Sequence, residues 1–194
     1  MVAPNMATML AYLTTDARVD RATLQRLIRQ AVAESFNRIT VDGQPSTNDM
    51  ALILANGSSG APSLRPGSGP YRNFEQGLKT VCRVLAHEIV RDGEGVTRVM
   101  KVQVAGAVNA QEARRVAFSI ADSMLVKTMV AGRDPNWGRV AAAVGASGCR
   151  IDPKRLTLRL GKVTVFHNSE PTRLSREILL RQVDHSEVQI GVDL

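Results

Sequence analysis

The chain has 194 residues, of which 44% are hydrophobic, with a mean hydropathy of −0.08, enough apolar material for a packed core. Its formal charge of +7 comes from 25 basic and 18 acidic residues, spread from Arg21, Arg26 and Arg29 to Lys154, Arg155, Arg159 and Lys162 with no basic run interleaved with aromatics. That distribution argues against nucleic-acid binding and leaves anionic small molecules as the natural reason for a basic surface.

The first predicted element is a strand over Met9–Thr14, beginning beside Thr8. Asp20 then suits the N-cap of a helix over 21–35, whose Leu24, Leu27, Ile28, Ala31 and Val32 form one apolar stripe. Strands are expected near Arg38–Val41 and Met50–Ala55, separated by polar residues 42–49. Residues 57–70 are dominated by Gly, Ser and Pro and mark a loop. A second amphipathic helix follows from Tyr71 to Arg91, with Phe74, Leu78, Val81, Cys82, Leu85 and Ile89 on one face. The run Asp92-Gly93-Glu94-Gly95 ends it.

Arg98–Val104 is the next predicted strand. Asn109 and Glu112 form a capping-box-like start for a third helix reaching Asp122. The apolar run Val126–Ala131 is expected as a strand, followed by the loop Asp134–Arg139 and a short Ala-rich helix to Ala146. Strands near 155–160 and 163–167 turn at Gly161-Lys162, and a helix over 172–182 follows. Leu156, Leu158 and Leu160 alternate, as do Val188, Ile190 and Val192, so both stretches predict half-buried strands. Helices alternating with strand pairs give a layered α/β fold class.

Other chemistry is thinly represented. Cys82 and Cys149 have no CxxC or metal-type spacing, and His87, His167 and His185 share no metal-ligand spacing, so neither a disulfide framework nor a metal site is expected. The start, Met1–Asn5, lacks the basic region of a signal peptide, and no apolar run approaches about eighteen residues. A soluble cytoplasmic protein is expected, or a mitochondrial-matrix one in a fungus, with no membrane association.

Four blocks carry a resemblance. They are Ala-Pro-Asn-Met-Ala-Thr-Met-Leu (Ala3–Leu10), Ser35–Gly43 with Ser46–Asp49, Ile89-Val90-Arg91-Asp92-Gly93-Glu94-Gly95, and Asp134-Pro135-Asn136-Trp137-Gly138-Arg139. In this order they resemble the ornithine acetyltransferases (glutamate N-acetyltransferases) of arginine biosynthesis, as the β chain of a self-cleaving precursor. The resemblance implies an α-β-β-α sandwich of the N-terminal-nucleophile-like type with a smaller C-terminal α/β domain, divided as 1–108 and 109–194.

It also implies cleavage between Ala7 and Thr8, which makes Thr8 the N-terminal nucleophile. Acetyl transfer from N2-acetylornithine to glutamate would then pass through acetyl-Thr8. A threonine hydroxyl needs an adjacent base, and a freed α-amine, with a pKa of roughly 7.7–8, is well placed to serve. Taken alone, Thr8 is an ordinary β-branched residue ahead of a strand. Glu94, likewise an ordinary turn residue on its own, matches a family position that contacts the amino-acid substrate.

No resident cofactor is implied, although bifunctional members also take acetyl-coenzyme A as donor. The implied partner is the upstream α chain of the same precursor, in a heterotetramer of two α and two β chains. The family's oxyanion hole, a lysine eleven residues before the nucleophile, and a C-terminal tail that returns to the site all fall outside these 194 residues. Gln44-Pro45 replaces the Asp-Thr usual in the second block. Two alternatives to the transferase remain: an inactive homologue acting as an interaction subunit, and a related N-terminal-nucleophile amidase or aminopeptidase.

Overall fold

Two separate clusters of buried side chains organise the computed structural model, which describes residues 9–41, 43 and 46–194. The chain divides between them at Glu94/Gly95. The strand Val99–Ala105 of the second unit pairs along its whole length with the last strand of the chain.

In the first unit, β1 (Leu10–Thr15) and β2 (Met50–Ala55) pair in parallel, in register from Leu10↔Met50 to Thr15↔Ala55. Parallel neighbours require the chain to travel back between them, and α1 (Arg21–Ala33) does so. Asp20 caps α1 by accepting the Thr23 N–H at 2.9 Å, and Thr23, Leu27 and Ala31, spaced by four, form its buried face. After the loop, α2 (Gly69–Arg91) starts at the Ser68 cap with Pro70 in its first turn, where no N–H is missed. It buries Tyr71, Leu78, Cys82 and Ala86. Glu34, just past α1, binds Lys79 at 3.1 Å and Arg83 at 2.7 Å on α2.

Ala11 and Leu13 of β1, with Ala51 and Ile53 of β2, join the same cluster as these helices. Side chains alternate across a strand, so Leu10, Tyr12, Met50, Leu52 and Leu54 occupy the other face, and all five are exposed.

The strand expected at Arg38–Val41 is not formed. Phe36–Arg38 make a single 3-10 turn instead. Ser35 donates its hydroxyl to the Ala31 carbonyl at 2.6 Å and accepts the Arg38 N–H through its own carbonyl at 2.8 Å. This winds the chain tightly enough to bury Phe36.

The second unit holds a five-stranded sheet in the order β3-β7-β4-β5-β6. Its strands are β3 (Val99–Ala105), β4 (Thr157–Leu160), β5 (Val163–His167), β6 (Glu170–Pro171) and β7 (Glu187–Asp193). Only β3 and β7 run parallel. Helices α3 (Ala110–Asp122), α4 (Met124–Ala131), α5 (Trp137–Gly145) and α6 (Arg176–Val183) contribute to one core. In it Val116, Ile120, Val126, Met129 and Val144 meet Leu158, Leu160, Val188 and Ile190.

The run Val126–Ala131, expected as a strand, lies in α4. Ser123 caps it by accepting the Val126 N–H at 3.4 Å. Burial of Val126, Met129 and Val130 follows the i, i+3, i+4 pattern of a helix. Leaving β3, Gly106 adopts φ +72°, and a Cβ there would stand 2.5 Å from both Leu194 O and Asp193 Oδ1.

Candidate active site

Ala7 and Thr8 lie outside the described residues, so the site is built from Met9 onward. Met9 leads into β1, and both of its backbone polar groups are engaged by consecutive residues at the start of β2. Its carbonyl accepts the Met50 N–H at 2.8 Å, and its own N–H donates to Asp49 Oδ1 at 2.9 Å. The ladder proper starts one residue later, at Leu10↔Met50. A carboxylate therefore accepts the N–H at the point where the main-chain pairing stops.

The turn that presents Asp49 is held locally. Asn48 donates its N–H to Ser46 Oγ at 3.2 Å, and Asp49 reaches back to the Ser46 carbonyl at 3.5 Å. Ser46–Asp49 is thus a turn held by bonds among its own residues. The contact to Met9, forty residues away, is the part that sequence reasoning missed. Its signal is slight: an acidic residue directly ahead of a strand that pairs in parallel with the strand after Thr8.

Glu94 sits in the turn after α2, exposed, with Gly95 at φ +71° supplying the reversal. It makes no hydrogen bond or ion pair with Met9, Asp49 or any other described residue, so its carboxylate is available. The structure thus brings Met9, Asp49 and Met50 together and leaves Glu94 outside that bonded group.

The Asp134–Arg139 block lies in the second unit and braces it. Trp137 packs on Phe166 with ring centroids 5.5 Å apart. Arg139 donates to the Leu125 carbonyl and to Thr128 Oγ1, each at 3.0 Å, which ties α5 to α4.

The remaining polar candidates have structural surroundings. His167 Nδ1 lies 2.8 Å from Thr157 Oγ1, and His87 and His185 are exposed. Burial pushes the Cys82 thiol up, away from the reactive thiolate. Hydrogen bonds from Lys79 and Arg83 hold the Glu34 carboxyl below its ordinary value, while Glu75 and Glu34 raise Lys79 in turn. Among the described residues no three His, Cys, Asp or Glu groups could hold a metal ion. No described helix is long and apolar enough to cross a membrane.

The ArgJ family model matches residues 1–194. The arginine biosynthesis bifunctional protein ArgJ of Symbiobacterium thermophilum is 48% identical over 194 residues, 100% of this chain and 48% of that protein. The protein of the same name from Bacillus licheniformis is 45% identical, over 99% of this chain and 47% of its own length. This chain therefore spans about half the length of these curated relatives. A crystal structure of arginine biosynthesis bifunctional protein argJ from Bacillus halodurans superposes with a TM-score of 0.91 at 42% identity, covering 96% of this chain and 88% of that one. At that likeness the fold class is the α/β sandwich of the N-terminal-nucleophile-like type.

Proposed function

The chain belongs to the ArgJ family, and from that premise we propose that it is the nucleophile-bearing β subunit of an acetyltransferase of arginine biosynthesis. The observation that carries this reading is the family match over every residue, with 48% identity to the Symbiobacterium thermophilum relative, together with the autoprocessing-like segment Ala3–Leu10 in the sequence. The solved relative supports a two-piece protein. Its chain is close to this one in length, whereas the curated relatives are about twice as long.

In the proposed reaction the Thr8 hydroxyl attacks the acetyl carbonyl of N2-acetylornithine while the freed α-amine of Thr8 takes the hydroxyl proton. The amide C–N bond breaks, the departing ornithine nitrogen collects that proton, and an acetyl ester remains on Thr8. The amine of glutamate then attacks the ester, the C–O bond breaks, and N-acetylglutamate leaves with the threonine hydroxyl restored. The exposed Glu94 carboxylate, without an ion pair among the described residues, has the charge to meet the substrate ammonium. The chemistry needs no resident cofactor, and acetyl-coenzyme A enters only as a second acetyl donor. The cytoplasm is the proposed location.

An upstream chain is the proposed partner, in the heterotetramer that the family resemblance implies. Support comes from the two-stranded sheet of the first unit, whose exposed face carries Leu10, Tyr12, Met50, Leu52 and Leu54. A sheet buries such a face against another layer.

The test begins with the intact mass of the chain, produced with its own upstream coding region. A β species starting at Thr8 is expected, with transfer of acetyl from N2-acetylornithine to glutamate. Thr8→Ala should abolish cleavage and lower transfer at least about 10³-fold. An uncut wild-type chain, or transfer that persists in Thr8→Ala, overturns the reading.

A further inference from the structure

Asp49 is a polar group that the proposed reaction leaves unused. Its carboxylate receives the N–H of Met9 at 2.9 Å, and that N–H belongs to the Thr8–Met9 peptide. The peptide group is planar and rigid, so one hydrogen bond to its N–H, together with the Met50-to-Met9 bond at 2.8 Å, holds the backbone of Met9 at the entry to β1. We propose that Asp49 is a positioning residue for Thr8, acting through this peptide; the inference rests on the reading of Thr8 as the nucleophile.

The local chemistry favours orientation over stability. Asp49 is exposed, and a hydrogen bond in water contributes little net stability. A carboxylate acceptor is nonetheless a strong and directional partner for a backbone N–H. The ladder supplies no main-chain acceptor at Met9, since its register begins at Leu10↔Met50. Without the side chain, Met9, just ahead of the strand, would keep only one of its two backbone polar groups bonded and would fray as strand ends do. Fraying matters here because the neighbouring residue must place one oxygen against a carbonyl carbon. Misplacement by about 1 Å can cost on the order of 10²-fold in rate.

The position also requires an acceptor of particular reach. The turn Ser46–Asp49 is closed by the Asn48-to-Ser46 and Asp49-to-Ser46 bonds, so the side chain at 49 is delivered to Met9 by a short, locally determined loop. Asparagine keeps one acceptor oxygen at the same reach, removes the charge and turns the second oxygen into an amide donor. Alanine removes the acceptor.

The experiment uses the protein with its upstream coding region and compares wild type, Asp49→Ala and Asp49→Asn. The rate of Ala7–Thr8 cleavage is followed by mass. Transfer is measured as kcat and KM per cleaved subunit, and thermal midpoints are recorded beside them. Asp49→Ala should cleave more slowly and lose about 10- to 100-fold in kcat, with KM for N2-acetylornithine and the thermal midpoint nearly unchanged. Asp49→Asn should recover most of both rates.

The proposal is overturned if Asp49→Ala matches wild type in cleavage and kcat, or if its activity falls only in step with its folded fraction. It is also overturned if Asp49→Asn does no better than Asp49→Ala. A wild-type protein that neither cleaves nor transfers would instead remove Thr8 as nucleophile, and this inference with it.

Discussion

Capping is the clearest case at the scale of single residues. Asp20 accepts the Thr23 N–H, and that bond, with the Thr23 side chain, holds its carboxyl below the ordinary value of 3.8. A carboxyl with a lowered folded pKa stabilises the native state above its unfolded pKa. That contribution is lost as the pH falls through the folded value. Asp20→Ala should therefore lower the thermal midpoint at neutral pH, and the difference from wild type should close below about pH 4. A difference that persists unchanged in acid would mean that the charge of Asp20 plays no part in the cap. This cap was legible because a short acidic side chain ahead of a helical stripe has few other uses. The end of α4 was not. There Arg133 takes φ +54°, with the Asp134 and Arg133 N–H groups returning to Met129 and Val130. Glycine usually fills that place, and nothing in an arginine announces it.

Elements were legible where period and length agreed. The alternating leucines and valines of β4 and β7 and the long stripes of α1 and α2 fit one conformation each. The six residues Val126–Ala131 fit two, since a short apolar run suits a buried strand or one turn and a half of buried helix equally. Two contacts accompany the helix: the local Ser123 cap ahead of the run, and a tertiary one from Arg139, which arrives from α5 to donate to the Leu125 carbonyl and Thr128 Oγ1. A comparable dependence on distant chain appears after β3. Leu194 donates its N–H to the Ala105 carbonyl at 3.1 Å, which brings the backbone of Leu194 against Gly106. Gly106→Ala adds a strained φ and a clash at once, and should destabilise the second unit by more than about 1 kcal/mol. Denaturant unfolding of the variant measures this, and an unchanged midpoint would show that the Ala105–Leu194 contact is not kept in solution.

At the scale of the whole chain, the family and the α/β class were legible from four blocks in order, since each is short and only their sequence along the chain is specific. The sheet order β3-β7-β4-β5-β6 was not, because it joins strands more than eighty residues apart and no local pattern encodes such pairings. Nor could composition reveal that the first unit would carry two faces of opposite fate. Leu10 and Tyr12 are 51% and 61% exposed while Ala11 and Leu13, which alternate with them, are buried. The chain on its own should therefore bind a hydrophobic dye and self-associate. Leu52→Lys with Leu54→Lys should reduce both, and an upstream chain that covers this face should do the same in the wild type. Dye binding that ignores both changes would place the responsible surface elsewhere.

The single tryptophan has a practical consequence. Trp137 packs on Phe166 inside the second cluster, and the first unit holds the only two tyrosines, Tyr12 and Tyr71. Indole emission is thus a private reporter for residues beyond Glu94, whereas far-ultraviolet dichroism sums over both units. Melting curves from the two signals that superimpose would mean that the units unfold in one cooperative step. Curves that separate would assign the indole midpoint to the second unit alone, and the remainder of the dichroism change to the unit that holds β1 and β2.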